Sequence, residues 1–409
     1  MRLRRRGLRA LAAATGLALA AALAPGAGAA PPPGRPAGPP VTVPPVQAPP
    51  GNAPAPRAAF DVATYNIYLG ADLNPLFEAA DFVDLVGRAG QVYAAMEATD
   101  FPERAEAIAD LLVDESPDVV GLQEVALWAT APGNIQTPTA PFTVTYDFLD
   151  LLLDELAERG LPYEEVATNR NFTGTLPIAL GGAPPFFPAS SWASFTDRDV
   201  IIVRSGLPER RLSVDESSVR ERNFSPEATL VIPTGVQEAP FFPVPRGWSS
   251  VDVTVKGSTF TFFNTHLEAF GGDAIRNLQA EELADEVEAS AHPPIVVGDI
   301  NSRPPCDPSN NVAYNTLIGA GLVEVWPEVY PDPPVGCDPA SHTSGQAADL
   351  LNAESELDHR IDTIMFDPTA FTALQADVIG EEQDDRTTPT GLWPSDHAGS
   401  TGKLRSLGR

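Results

Sequence analysis

Six short runs in this 409-residue chain end on side chains that hydrophobic packing does not call for. Asn66 follows Val62-Ala63-Thr64-Tyr65, and Gln123-Glu124 follows Val119-Val120-Gly121-Leu122. Thr265-His266 follows Phe262-Phe263-Asn264, and Asp299 and Asn301 follow Val296-Val297-Gly298. Asp362 sits inside Arg360-Ile361-Asp362-Thr363-Ile364, and Ser395-Asp396-His397 precedes a run of small residues. Each alone is ordinary, because Asn and Asp cap strands and turns and a single His is more often hydrogen-bonded structure than ligand. Together, carboxylates, amides and two imidazoles at strand ends are the groups that a hard cation and a phosphate oxygen require in one pocket. Magnesium takes oxygen ligands and keeps several waters, so one or two carboxylates and an amide carbonyl suffice to hold it.

Rigid elements must bring these positions together. Runs with strand character span 60–68, 118–123, 199–204, 228–232, 249–255, 259–266, 294–300 and 359–366, and the Lys256-Gly257-Ser258 turn makes two of them a hairpin. Segments 103–115, 146–159 and 273–289 repeat apolar residues every three or four positions and are expected to be helices. The runs Pro117-Asp-Val-Val-Gly-Leu and Pro293-Pro-Ile-Val-Val-Gly are continuously apolar, which suits strands buried on both faces. Interleaved strands and helices of this kind predict a two-sheet core with outer helices.

The order of the six motifs resembles the endonuclease/exonuclease/phosphatase superfamily, over nearly the whole span from Thr64 to His397. The matching pieces are Tyr65-Asn66-Ile67, Leu122-Gln123-Glu124-Val125, Asn264-Thr265-His266-Leu267, Gly298-Asp299-Ile300-Asn301, Arg360-Ile361-Asp362 and Ser395-Asp396-His397. Ile300 stands where the family often has Phe, and segments 171–196 and 221–245 read as additions to the common core. The resemblance implies an α+β fold, a four-layer α/β/β/α two-sheet sandwich of the DNase I-like type. It implies metal-dependent hydrolysis of a phosphoester with Mg²⁺ or Mn²⁺ as cofactor. Glu124 would be the principal metal ligand, assisted by Asn66 and Asp396. His266 and His397 would bracket the scissile phosphate, with Asp362 orienting the His397 imidazole. Asp299 would deprotonate the attacking water, and Asn301 would position that water or the phosphate.

Residues 1–29 read as a secretory signal peptide. Five arginines lie in the first nine positions, an Ala/Leu run follows, and Ala27-Gly28-Ala29 offers a cleavage pattern. Residues 30–57 read as a Pro-rich linker that cannot bury a core, and 58–409 as the catalytic domain. The expectation is therefore a secreted protein with no transmembrane segment in the mature chain. Without the signal, 21 basic residues face 55 acidic ones, so the net charge is near −34. Unassisted binding to long DNA is disfavoured by that charge, although a bound metal reverses the field locally. Cys306 and Cys337 are too few for a disulfide scaffold and are expected to form one bridge closing a Pro/Asp-rich loop.

Reaction type is more legible than substrate, since one catalytic set serves many phosphoesters. Pro184-Pro-Phe-Phe-Pro with Trp192, and Pro240-Phe-Phe-Pro with Trp248, are loops that could touch a lipid interface or could simply anchor on the sandwich. The favoured reading is a phosphodiesterase for lipid or small phosphoesters such as sphingomyelin, with a secreted endonuclease acting on nucleic acid as the alternative. A non-catalytic binding module is a third reading, disfavoured because no expected position is substituted. Exposed Phe186, Phe187, Phe241 and Phe242 beside the histidines would favour lipid, and a basic groove there would favour nucleic acid. His292, His342 and His359 read as surface structure, and Arg170 and Arg204 as secondary candidates for phosphate contact.

Overall fold

In the computed structural model, residues 58–179 and 191–408 are described. Six strands form the principal path of one half of the core, in the order Phe371–Ile379, Gly399–Ser406, Ala59–Asn66, Val119–Gln123, Ser191–Arg204 and Leu127–Pro132; Thr143–Asp147 extends the far edge and Tyr163–Ile178 pairs with Ser191–Arg204. The facing sheet runs Val323–Glu324, Asp362–Phe366, Pro294–Asp299, Ser258–His266, Gly247–Val255 and Leu212–Asn223. The Gly247–Val255 and Ser258–His266 strands form the expected hairpin.

Successive side chains of a strand point to opposite faces, and here that alternation sorts residues into layers. Phe60, Val62, Val119, Ile201, Val203, Phe260, Phe262, Ile295, Val297 and Ile364 fill the space between the sheets. Their neighbours of opposite parity, Ala63, Tyr65, Val120, Leu122, Val200 and Ile202, pack under the helices Phe82–Ala98, Phe101–Glu115 and Phe148–Glu158. On the other side Phe263, Val296 and Met365 pack under Asp273–Glu288 and Val312–Gly319. The result is the expected four-layer α/β/β/α sandwich, with the central strands Val119–Gln123 and Pro294–Asp299 buried on both faces as their sequences predict.

Toward one end of the inter-sheet layer the fill changes from hydrocarbon to amide. Asn264 donates to the carbonyls of Leu122 (3.0 Å) and Val200 (3.1 Å) on the opposite sheet, and accepts from Gln123 Nε2 (2.6 Å), which also meets Thr64. Gly121 gives this bridge its room: a Cβ there would stand 2.4 Å from Val297 Cγ2 and 2.6 Å from Asn264 Oδ1.

Several elements depart from the sequence reading. Helix Phe82–Ala98 was not anticipated; Asp81 caps it through Asp84 N, and Gly90 inside it allows a contact with the Ala179 backbone that a Cβ would close to 2.2 Å. Strand Tyr163–Ile178 escapes a period-two reading because register shifts fall at Glu165/Ala167 and Arg170/Thr173. Segment 171–196 is not wholly an addition to the core: 171–178 and 191–196 extend two paired strands. Segment 221–245 includes a separate hairpin, Leu230–Pro233 with Phe241–Val244. Cys306 and Cys337 are disulfide-bonded across 31 residues, as expected. Among the described residues no helix is long and apolar enough to cross a membrane. Residues 1–57, for which a signal peptide and a linker are expected, lie outside the described residues, as do Phe186 and Phe187.

The close approach at Gly121 makes a testable demand. Gly121→Ala should destabilise the protein by about 1–3 kcal/mol, the usual cost of overpacking a dense interior, and lower the urea midpoint at an unchanged slope. An unchanged midpoint would contradict the sheet-to-sheet contact described.

Candidate active site

Just above the amide bridge, the next inward-facing positions of the same strands carry the chemistry. They open into a cleft of about 290 Å³ lined by Glu124, Asp197, Arg246, His266, Asp299, Asn301, Asp396 and His397, with a wall of aromatic side chains. The sequence-predicted residues Glu124, His266, Asp299, Asn301, Asp396 and His397 thus share one cleft. Asn66 and Asp362 stand directly behind it through hydrogen bonds to Asp299 and His397.

On the carboxylate side, Glu124 adopts a left-handed backbone (φ 56°) at the end of its strand and accepts from Leu69 N at 2.9 Å. Burial, with Asp396 and Asp197 nearby, pushes its carboxyl up to about 8. Burial likewise raises Asp396 against the opposing pull of His397 and Arg104. The loops carrying these groups are pinned together by one buried guanidinium. Arg104 donates to Ile67 O (2.8 Å), Tyr68 O (3.1 Å), Thr99 O (2.8 Å) and Pro394 O (2.9 Å), and its guanidinium lies over the Phe101 ring. Ser395 completes the join by donating to Asn66 O at 2.6 Å.

Asp299 is held from two directions, accepting from Asn301 N (2.9 Å) on Oδ1 and from Asn66 Nδ2 (3.1 Å) on Oδ2. Burial and the Asp362 charge raise its carboxyl to about 7. The two histidines beside it are driven in opposite directions. His397 Nδ1 lies 2.8 Å from Asp362 Oδ2; burial opposes the charge, but Asp362 and Asp396 outweigh it and hold the imidazole well above its usual range. Its Nε2 faces Asp299 at 3.9 Å and Ser344 Oγ at 3.4 Å. His266, fully buried and beside Arg246 and His397, is pushed well below the ordinary range and is neutral. Its Nδ1 lies 3.0 Å from Arg246 Nη1, and its Nε2 lies 3.2 Å from Asn301 Nδ2 and 3.4 Å from Asp299 Oδ2.

Sequence reading missed a second polar layer behind His266. Arg246 lies 3.2 Å from Asp197 and 3.9 Å from Glu268, and these carboxylates keep it charged against the effect of burial. Asn171 donates to Asp199 (2.7 Å) and Asp197 (3.2 Å), and Asn169 donates to Asn171 (2.7 Å). Asp197 and Asp199 occupy inward positions of strand Ser191–Arg204, in the same alternation as Ile201 and Val203. That parity is the signal that could have found them; Arg246, between Pro245 and Gly247 in a loop, carries none. Arg170 is exposed and Arg204 reaches Ser116 O, so neither lines the cleft. His292 and His342 meet Asp252 and Leu357 O, and His359 bonds Asp358, all structural contacts outside the cleft.

The donor set suits a hard cation. Buried carboxylates crowd the cleft, every candidate ligand atom on Asn66, Glu124 and Asp396 is oxygen, and the Leu69 amide and the Arg246 charge only partly offset the burial of Glu124. Among the described residues, two groups of three His, Cys, Asp or Glu side chains bring their candidate ligand atoms within 4.8 Å of one another, neither of them containing Glu124 or Asp396. In one, Cys306 and Cys337 are already tied to each other beside Asp332; the other is Asp299, Asp362 and His397 inside the cleft.

A model described as the Endonuclease/Exonuclease/phosphatase family matches residues 63–397. No match was found among curated proteins. Of the solved structures, a family protein from Bacteroides thetaiotaomicron is similar at 16% identity and TM-score 0.50, covering 86% of this chain and 99% of that one. A mannosyl-6-phosphatase from the same organism (18%, 0.48, 84% and 99%) and the human Nocturnin catalytic domain with bound sulfate (16%, 0.45, 86% and 98%) are also similar.

The His397–Asp362 contact predicts a coupled pair. His397→Ala should lose roughly 10²- to 10⁴-fold in rate, Asp362→Asn less, and the double variant little more than His397→Ala. The Asp362 charge raises the His397 pKa, so removing it lowers that pKa. If the protonated imidazole is the active form, the alkaline limb of the pH–rate profile of Asp362→Asn moves to lower pH. Additive losses with an unmoved limb would show that the two act independently.

Proposed function

The chain belongs to the endonuclease/exonuclease/phosphatase family, whose members hydrolyse phosphoesters with the help of divalent metal ions, and on that premise we propose that it is a phosphodiesterase for lipid or small phosphoesters rather than for long nucleic acid. The observation that carries this reading is the cleft wall. Tyr68, Phe77, Phe172, Phe195, Phe242 and Phe270 line it, against one arginine, Arg246, no lysine and the two site histidines among the described residues. A nucleic-acid groove instead needs a run of cations along the backbone path. Phe241, 65% exposed at the rim, suits a peripheral lipid contact. Trp248 is fully buried under Arg220 and Arg222 and takes no part in one.

Glu124 and Asp396 would hold Mg²⁺ or Mn²⁺ from the cleft wall, with Asn66, whose Oδ1 accepts from Tyr68 N at 3.1 Å, assisting from behind it. When bound, the cation polarises the phosphoryl oxygen and stabilises the charge that develops on it. Asp299, buried and raised toward neutrality, accepts a proton from the attacking water, and its two hydrogen bonds aim the carboxylate. His397 presents Nε2–H to the phosphate, with its charge maintained by Asp362. Neutral His266, its Nε2 3.4 Å from Asp299 Oδ2, stands beside that carboxylate and limits its freedom to turn. Asn301, whose Nδ2 donates to Leu267 O at 3.0 Å, presents its amide to the cleft and would position the water or the phosphate.

Export follows from the arginine-led Ala/Leu segment within 1–29, with 30–57 as the linker and the catalytic domain beyond it. The Cys306–Cys337 bridge is at home in an oxidising compartment.

A panel of bis(4-nitrophenyl) phosphate, sphingomyelin vesicles, RNA and duplex DNA, with Mg²⁺ or Mn²⁺ and with chelator, tests the reading. The small diester and the lipid should be turned over, chelator should abolish turnover, and DNA should be the poorest substrate; DNA as the best substrate would sink the proposal. Glu124→Gln should abolish metal-dependent turnover while leaving the circular dichroism spectrum and melting temperature near those of the parent. Full activity in that variant would remove Glu124 from the site.

A further inference from the structure

The catalytic cleft does not end at its aromatic wall. Behind Leu73, Phe172, Phe195 and Phe242, which line both spaces, a second chamber of about 90 Å³ opens into the outer layer of the molecule. Its walls come from three directions: Leu76, Ala89 and Val92 from the helical side, Trp128 and Ala193 from the sheet, and Leu176 from the long strand Tyr163–Ile178. Thr175 is the one polar side chain among the lining residues described, and none of those residues is ionisable. Trp128 gives its indole N–H to Leu69 O at 3.1 Å, so it turns no donor toward the chamber. Phe172 and Phe242 stand 4.8 Å apart and Phe242 leans on Phe77 at 5.2 Å, which places ring faces and edges along the boundary between the two spaces.

We infer that this chamber is a substrate subsite that receives the hydrocarbon part of one ester group while the phosphate sits between His266 and His397. The inference rests on the phosphodiesterase reading and deepens it, since it names what one ester group must be. Adjacency decides the occupant. The chamber shares four lining residues with the cleft, so the ester substituent of a phosphate held at the histidines has an apolar boundary beside it. A lining with one hydroxyl and no charge leaves the edge of a nucleobase unpaired, which is costly when buried. An alkyl chain has no such requirement, and each methylene it buries is favourable. The chamber therefore selects the first few carbons of an alkyl chain, and longer chains must extend past it.

Glyceryl n-alkyl phosphodiesters from methyl to octyl, with the polar ester held constant and turnover followed by ³¹P NMR, test this directly. Over the first few carbons kcat/KM should rise by about four-fold per methylene, the factor corresponding to about 0.8 kcal/mol for each methylene buried, and should then level off. Ala193→Leu and Ala89→Leu, from opposite walls, should each flatten that rise, read as the ratio of butyl to methyl turnover within one variant. Using two variants guards against one that misfolds, and a ratio is insensitive to a general loss of activity. A parent enzyme that turns over the whole series with no dependence on chain length would overturn the subsite while leaving the phosphodiesterase reading intact. No turnover of any member would instead overturn the underlying reading, and the subsite with it. A glyceryl nucleoside phosphodiester hydrolysed faster than the butyl ester would place a base in the chamber and overturn the hydrocarbon assignment.

Discussion

The carboxamide of Asn264 crosses the gap between two sheets and uses both its donors and its acceptor on the far side, on Leu122 O, Val200 O and Gln123. A buried amide left unpaired costs more than a typical hydrogen bond returns, so any slide of one sheet over the other is penalised at this point. Below it the layer is hydrocarbon from Phe60, Val62, Phe262 and Val297. Above it the same inward-facing alternation continues through Asn66, His266 and Asp299, and on the antiparallel strands through Asp362 and Asp199. The site is thus the top storey of the core, and its distances depend on the register that the amide bridge maintains.

Crowding acids in such a place shapes their chemistry. Glu124 and Asp299 are both raised toward neutrality chiefly by burial, while the two imidazoles are split, one driven neutral by burial and Arg246 and the other kept cationic by Asp362 and Asp396. Groups with shifts in opposite directions can act as base and as donor at one pH. The same carboxylates that would be costly without compensation are the oxygen ligands a divalent ion needs.

Much of this was legible in sequence wherever a continuous apolar strand stopped on a polar residue, as at Glu124, His266 and Asp299. The sandwich was legible for the same reason, because strands buried on both faces leave few other architectures. What escaped had a physical cause in each case. Asp197 and Asp199 lie on the polar half of a strand whose apolar half begins only at Val200, and their partner Asn171 is on a strand whose bulges break the alternation. Arg246 belongs to a loop, where no periodicity marks burial. Arg104 falls on the buried stripe of its helix with Phe101 and Ile108, but its residue type marks a surface position, and only the carbonyls of Ile67, Tyr68 and Pro394 converging on it reveal why it is buried.

The central claim is that the top of the inter-sheet layer holds a cation between Glu124 and Asp396, beside the base and the histidine pair. Anomalous scattering from crystals soaked in Mn²⁺ tests it most directly. The account predicts one strong peak at roughly 2.1–2.3 Å from carboxylate oxygens of Glu124 and Asp396, absent in Glu124→Gln. A peak confined to Asp299, Asp362 and His397, with none at Glu124, would contradict it.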